Sequence, residues 1–335
     1  MALNNESSKK IRVAFLMRKR RANRFSIELV ADALERAMPG EIVIIRWTCW
    51  SVNGFFIRLV DCFRLFFIKA DIFHVIGDVH FLLPFLFFKK TVLTIHDVER
   101  LDRLSGIKKQ LYQLLWFVVP LRVASRIVAI SEATKHELEK SFETKKQIHV
   151  IPDPMVLDLK KNTQVFSSAE HFVALHIGTK KNKNLEANIA AIRGILCKLI
   201  IVGKLTEQQK KVLAINRIDY ENFERLTNEE MGEIYSKVDV LLFTSLVEGF
   251  GLPIIEAQAA GVPVITSDCS SMPEVAGKGA VFVNPKSVQN IRAKILELVA
   301  NSNLRKNIID NGYRNAERFQ PSRVAQLYSN LYGNL

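Results

Sequence analysis

Short runs of β-branched residues alternate with helix-period stretches along almost the whole 335-residue chain, and few architectures accept that pattern. In the first half the runs are Ile11–Met17, Glu41–Ile45, Ile72–Ile76, Thr91–Ile95, Ile127–Ile130 and Ile148–Ile151, with helical spacing at Ser26–Ala37, Ile107–Val119 and Glu132–Ser141. In the second half they are Phe172–Ile177, Lys198–Val202, Val240–Thr244, Val264–Thr266 and Ala280–Val283. Helical spacing there covers Leu185–Gly194, Asn228–Lys237, Leu252–Ala260, Val288–Ala300 and Asn303–Phe319. Strands that alternate with helices form parallel sheets covered on both faces. Two such blocks predict an α/β protein of two doubly wound domains. The boundary falls at Ile151-Pro152-Asp153-Pro154, because two prolines in three residues end regular structure. The expected division is 1–155 and 156–319, with an amphipathic last segment at 320–335. In open parallel sheets ligands bind beyond the carboxyl ends of the strands, so the residues just after each strand are the candidates for function.

Composition narrows the partners. Apolar residues make up 48% and charged residues 24%, which excludes a disordered tail, a collagen-like fibre and a small disulfide scaffold. The formal charge of +13 is uneven: residues 1–168 hold 27 Lys+Arg against 17 Asp+Glu, and 15 of the 21 phenylalanines. A half that is both basic and greasy favours anionic lipid over nucleic acid, for which no reading motif is present. Cys49, Cys62, Cys197 and Cys269 show no C-x-x-C spacing and no neighbouring His cluster, so neither a zinc site nor a disulfide framework is expected. The start, MALNNESSKK, lacks the apolar core of a signal peptide. Apolar runs such as Phe81–Phe88 fall far short of the roughly 20 residues that span a bilayer. The expectation is a cytoplasmic protein, with peripheral contact at the inner face of a membrane.

The most informative string follows the strand Val240–Thr244: Ser-Leu-Val-Glu-Gly-Phe-Gly-Leu-Pro-Ile-Ile-Glu-Ala-Gln-Ala-Ala-Gly, residues 245–261. Gly249 and Gly251 allow a tight turn and close approach of backbone to a ligand. Pro253 suits the first turn of a helix. A glycine-lined helix N-terminus with free N–H groups suits a diphosphate. Glu248 precedes the turn and Glu256 lies one helical turn in, both placed to face the same ligand. Carboxylates there would bind hydroxyls, since they repel an anion. The string resembles the E-x7-E signature of family 4 glycosyltransferases, which are retaining enzymes of the GT-B fold with two facing Rossmann-like domains and a central cleft. Ala260-Gly261-Val262-Pro263-Val264, Ser270-Ser271-Met272-Pro273-Glu274-Val275 and Gly279-Ala280 match as well. The resemblance implies that Glu256 binds the ribose hydroxyls of a nucleotide sugar. It implies too that Glu248 and the backbone of Gly249, Phe250, Gly251 and Leu252 hold the sugar and diphosphate.

Other strand ends add to this. His176-Ile177-Gly178-Thr179-Lys180-Lys181-Asn182-Lys183 combines a glycine turn with lysines at a helix start, which suits phosphate. By the resemblance, Gly178, Thr179, Asn182 and Lys183 hold the sugar donor, with Thr179 standing where relatives carry Arg. Gly203 and Lys204 resemble the second glycine turn, near the base. In the first half, Asp78, His80, His96 and Asp97 follow strands. The resemblance implies that His96 touches the transferred sugar while Asp78, His80 and Asp97 face the acceptor. Arg18-Lys19-Arg20-Arg21 replaces the usual glycine pair after the first strand, and Arg18 and Arg21 are candidates for a phosphate-bearing acceptor. Ser131 reads as a helix N-cap.

Residues 54–69, GFFIRLVDCFRLFFIK, place Arg58, Asp61, Arg64 and Lys69 on one helical face, as in helices that lie in a membrane interface, or in a core helix with one wet face. By analogy with GT-B proteins, the last helix crosses back to the first domain. The expected reaction is retaining transfer from a nucleotide sugar such as a UDP- or GDP-sugar to a saccharide or lipid-linked saccharide, in cell-surface polysaccharide synthesis. Lys183, Glu248 and His96 are the catalytic candidates. No Asp-x-Asp motif appears, so neither metal nor cofactor is expected. The rivals are a catalytically silent glycosyltransferase-like scaffold and a GT-B nucleotide-sugar epimerase.

Overall fold

The computed structural model describes residues 10–19, 26–50, 55–98, 104–159 and 171–335. The chain forms two compact units, Met1–Val156 with Pro321–Leu335, and Leu157–Gln320. The first unit runs β1 (Ile11–Met17), α1 (Ser26–Ala37), β2 (Ile42–Thr48), α2 (Phe55–Leu65), β3 (Ile72–Val75), a 3-10 turn (His80–Leu86) and β4 (Lys90–Ile95). It continues through α3 (Gly106–Gln113), a π-helical turn (Leu114–Val118), α4 (Val119–Val123), β5 (Arg126–Ala129), α5 (Glu132–Ser141) and β6 (Ile148–Val150). Its six strands are all parallel in the order β2-β1-β3-β4-β5-β6. Val13 to Leu16 of β1 are wholly buried, as expected of a strand with helices on both faces. Ser131 caps α5, its hydroxyl accepting the Thr134 amide at 3.0 Å.

The second unit runs β7 (Phe172–Ile177), α6 (Leu185–Ile192), β8 (Cys197–Val202), α7 (Glu207–Ile215), β9 (Asp219–Phe223), α8 (Asn228–Ser236) and β10 (Val240–Phe243). Then come α9 (Leu252–Ala260), β11 (Val264–Ser267), α10 (Met272–Ala276), β12 (Val281–Val283), α11 (Val288–Ala300) and α12 (Ser302–Ala316). Its sheet is again parallel, in the order β12-β11-β10-β7-β8-β9. The chain winds outward from β7 through β8 to β9, then restarts at β10 on the other side of β7. The reversal opens a crevice at the carboxyl ends of β7 and β10, the position where such sheets hold ligands.

The last helix, α13 (Pro321–Gly333), belongs to the first unit. Its Tyr332 hydroxyl lies 2.7 Å from His74 Nδ1, and His74 Nε2 lies 2.7 Å from the Thr94 hydroxyl. Tyr328 reaches the same Thr94 oxygen at 3.2 Å. Burial pushes His74 down to about 3, so the network is uncharged at neutral pH.

Helix α2 differs from its expected orientation. Its charged stripe turns inward. Asp61 is fully buried, accepting the Trp50 amide at 3.1 Å and Arg64 Nη1 at 2.7 Å. Arg58 lies over the rings of Phe81 and Trp116, and Arg64 over Trp47 and Trp50. Helical period fixes which residues share a face; the aromatic rings waiting on the body of the unit decide which face goes in. Among the described residues, no helix is long and apolar enough to cross a membrane.

Candidate functional site

Two loops meet at the β7/β10 crevice. After β7 the chain turns at Gly178 (φ +91°), where a side chain would meet Lys183 Cγ at 2.8 Å. The lysine stem therefore lies directly on the glycine. A 3-10 turn, Lys181–Lys183, leads to Asn184, whose left-handed backbone (φ 62°) starts α6. Its side-chain amide donates to Thr244 O at 3.0 Å and to Pro285 O at 2.8 Å, tying the loops after β7 and β10 to the one after β12. Asn182 accepts the Leu246 amide at 2.7 Å through its carbonyl and donates to Val247 O through its side chain.

After β10, Gly251 (φ +113°) forms the N-cap of α9, and Pro253 sits in the first turn. The left-handed backbone at Gly251 and the closeness of Ile254, 3.1 Å from where a Cβ would stand, both favour glycine there, and α9 follows it with the N-terminal N–H groups that an anion would need. Ser271 donates to Phe250 O at 2.7 Å, with Glu248 O 3.0 Å from the same hydroxyl, and Ser270 donates to Glu248 O at 2.7 Å. These bonds tie the loop ahead of α9 to the one ahead of α10. The Phe250 ring is buried against Phe319 with centroids 5.6 Å apart, so only its backbone is offered to a ligand.

The two glutamates of the motif have separate partners. Lys183 Nζ donates to Glu248 Oε1 at 2.6 Å and lies 4.9 Å from the centre of the Phe243 ring. Glu256 is buried within α9 and accepts the Tyr235 hydroxyl at 2.9 Å. Burial pushes Glu256 up to about 7, against the opposing effect of the tyrosine bond. Below the site, His176 Nε2 donates to Gly178 O at 2.8 Å, so its Nδ1 accepts from Asn188 at 3.0 Å. Burial lowers His176 to about 4, so it is a neutral strut under the glycine turn. Thr179 donates to Lys204 O at 2.6 Å, and Gly203 (φ +142°) lets the two turns close, a Cβ there lying 3.0 Å from Thr179 Cγ2. Lys204 is exposed. The structure therefore brings Gly178, Thr179, Asn182, Lys183, Gly203, Lys204, Glu248, Gly249, Phe250, Gly251 and Leu252 to one end of the sheet, with Glu256 one turn deeper.

The first unit treats its candidates differently. His96 Nε2 donates to Ile76 O at 2.9 Å, and Nδ1 lies 3.5 Å from Asp153. Burial works against a charge on His96, but Asp153, the Ile76 carbonyl and Asp97 together outweigh it and raise the pKa. Asp78 accepts the Trp116 indole N–H at 2.6 Å, and His80 Nδ1 donates to Trp116 O at 2.7 Å. Both are thus turned to Trp116, and His80 is buried. Asp97 is exposed. Arg18 is buried at the end of β1, bonded to Glu28 at 2.9 Å, so its charge is already matched inside the unit. Arg21 lies outside the described residues.

Sequence reading missed Tyr235, Asn184, Ser270, Ser271 and Asp153. Asp153 carries no signal beyond the Pro-Asp-Pro run, and Tyr235 lies 21 residues from Glu256 with nothing in the spacing to connect them. The two serines stood inside the matched motif, so their bonds to the Glu248 carbonyl were within reach.

With this geometry in view, the comparisons decide the family. The profile of Glycosyltransferase Family 4 matches residues 9–159, and that of Glycosyl transferases group 1 matches residues 161–315. The chain belongs to the family 4 glycosyltransferases. It is 35% identical over 105 residues to the O-antigen chain mannosyltransferase B of Escherichia coli, covering 31% of this chain and 28% of that one. It is 25% identical over 225 residues to the O-antigen chain mannosyltransferase RfbU of Salmonella typhimurium, covering 64% and 62%. These matches span less than two thirds of either relative's length. The crystal structure of Anabaena HepE in complex with UDP and glucose superposes with a TM-score of 0.77 at 15% identity, over 97% of this chain and 100% of that one. The fold of this family 4 member is therefore GT-B, with two Rossmann-like domains.

Proposed function

We propose that this chain is a retaining glycosyltransferase that moves a sugar from a nucleotide-diphosphate sugar to a saccharide or lipid-linked saccharide in cell-surface polysaccharide synthesis. The observation that carries the reading is the Lys183–Glu248 pair at the β7/β10 crevice, beside the glycine-capped N-terminus of α9. Relatives that act as O-antigen mannosyltransferases and a neighbour of like fold solved with UDP and glucose support it.

In this reading the diphosphate displaces Glu248 from the Lys183 ammonium. That ammonium and the α9 amides then stabilise the charge growing on the leaving phosphate. Glu248, released, accepts hydroxyls of the sugar, and Glu256 accepts those of the ribose. His96, held by Ile76 O and Asp153, contacts the transferred sugar. Transfer proceeds without metal, the lysine and amides supplying the positive charge. A cytoplasmic location and peripheral contact with an anionic membrane, where a lipid-linked acceptor is presented, belong to the same reading.

The test is thermal unfolding against UDP, GDP, ADP, dTDP and CMP, with Glu256→Ala alongside, followed by a transfer assay with and without EDTA. Stabilisation by one nucleotide, lost in the variant, is expected, together with transfer that survives EDTA. No stabilisation by any nucleotide would move the silent scaffold ahead of the transferase. Loss of transfer in EDTA would overturn the metal-independent step alone.

A further inference from the structure

Helix α2 is amphipathic in the reverse sense for a surface helix. Its acid and arginines point to the body of the first unit, while Ile57, Val60 and Phe63 point outward. The outward row continues past the helix through Phe66 and Phe67. Phe66 stacks on Phe88 with centroids 6.2 Å apart, which joins this row to a second segment, Phe85–Lys90, at the end of the 3-10 turn. Phe67 is 84% exposed and Phe87 is 74% exposed. The six exposed phenylalanines among the described residues all lie in these two segments, at 63, 66, 67, 85, 87 and 88.

Water selects against such a surface. Soluble proteins seldom expose contiguous apolar patches, and burying Asp61 with two half-buried arginines turned inward carries a desolvation cost. The charge around the rings says what covers them. Lys69, Lys89 and Lys90 are exposed beside the phenylalanines, and Lys89 Nζ lies 5.3 Å from the centre of the Phe88 ring. The single acid in residues 57–69 and 85–90 is Asp61, and it is buried. Rings that insert, in segments whose exposed charges are all cations, complement the interface of an anionic bilayer.

We propose that the outer face of α2, together with Phe66–Phe67 and Phe87–Lys90, is a docking surface for an anionic lipid bilayer. The lipid-contacting side is the apolar one, and the electrostatic attraction comes from Lys69, Lys89 and Lys90 in place of Arg58 and Arg64. The assignment deepens the membrane contact in the function proposed above and rests on that reading for the acceptor's location, not for the binding.

The experiment is co-sedimentation of the full chain with vesicles of phosphatidylcholine alone and of phosphatidylcholine mixed with phosphatidylglycerol. The chain is expected to pellet with the anionic vesicles and to release as salt rises. Phe67→Ser/Phe87→Ser should lower the partition coefficient by about tenfold per ring. Lys89→Ala/Lys90→Ala should lower it by about fivefold per lysine and remove the preference for anionic lipid. Both variants change exposed side chains, and both should unfold at the wild-type temperature and keep the nucleotide response. A chain that stays in the supernatant with both vesicle types, or a Phe67→Ser/Phe87→Ser variant that pellets like the wild type, would overturn the proposal. So would a concentration-dependent dimer, seen by sedimentation velocity and dissolved by the same variant, in a chain that ignores vesicles. Ring-dependent vesicle binding without any nucleotide response would keep the docking surface and remove the transferase reading.

Discussion

Glu256 is a carboxyl that the fold holds back from ionising. It sits one turn inside α9, shielded from solvent, with one hydrogen bond from Tyr235 to compensate. Its pKa rises from 4.5 to about 7 because burial disfavours the charged form. The folded state thus holds a proton that the unfolded state has lost between those two values. Glu256 therefore contributes stability that is complete below the unfolded value and disappears as pH rises through about 7. The size is on the order of 3 kcal/mol. His74 and His176 act in the opposite sense, because burial keeps them neutral at about 3 and about 4 and stability falls as the unfolded state protonates on acidification. The glutamate's part is isolated by subtracting the pH profile of Glu256→Gln from that of the wild type, both by urea unfolding. The difference should fall steadily from pH 4.5 to about 7 and then level. A flat difference would mean that Glu256 is ionised in the free protein. At this scale the sequence showed the glycines and both glutamates, because their types and spacing carry the chemistry. It did not show that Lys183 holds Glu248 or that Tyr235 holds Glu256, because those partners lie 65 and 21 residues away and only the fold joins them.

Elements were legible where burial made them apolar throughout. The parallel strands β1, β3, β4, β5, β7, β8, β10 and β11 read as continuous runs for that reason. Strand β9, Asp219–Phe223, was missed because it is an outer strand of polar sequence that pairs only with β8. The stretch expected as one helix over Ile107–Val119 divides into α3, the π-helical turn and the start of α4 ahead of Pro120. Helix α13 shows how an element's place depends on a few polar atoms. Val324, Ala325, Tyr328, Leu331 and Tyr332 are buried, and the two tyrosines close a neutral chain through Thr94 and His74. Tyr332→Phe keeps the ring and removes the hydroxyl, leaving a ring nitrogen of His74 buried without its partner. The expected cost is about 1–3 kcal/mol by urea unfolding of the full chain. Val324→Ala, which removes two fully buried methyl groups and no hydrogen bond, should cost about 2 kcal/mol from lost burial and the cavity left behind. A Tyr332→Phe variant as stable as wild type would show that packing of α13, without the hydroxyl chain, holds it.

The whole chain carries its apolar burial in separate cores. One lies within Met1–Val156 around Phe73, Leu93 and Phe117, and another lies within Leu157–Gln320 around Leu199, Leu242 and Ile295. Chains built this way need not unfold in one step, and a ligand stabilises the part that it binds. All the residues proposed to hold the nucleotide, from Gly178 to Glu256, come from the second unit. Hydrogen exchange of the full chain with a nucleoside diphosphate at about 100 times its dissociation constant should therefore slow most in the amides of 177–184, 203–204 and 246–257. The added protection there should approach about 2.7 kcal/mol. It should leave β9, on the far side of β8 from the crevice, nearly unchanged wherever its amides open locally and not by unfolding of the unit. Protection centred instead on 10–156 would put the nucleotide in the other unit, and the roles given to Lys183, Glu248 and Glu256 would fall together. The basic excess of the first half bears on the same experiment. A polyanionic nucleotide drawn only by that excess would protect diffusely and lose its effect as salt rises. A diphosphate seated on the Gly178 turn and the α9 amides should keep most of its protection, because those groups are fixed and close.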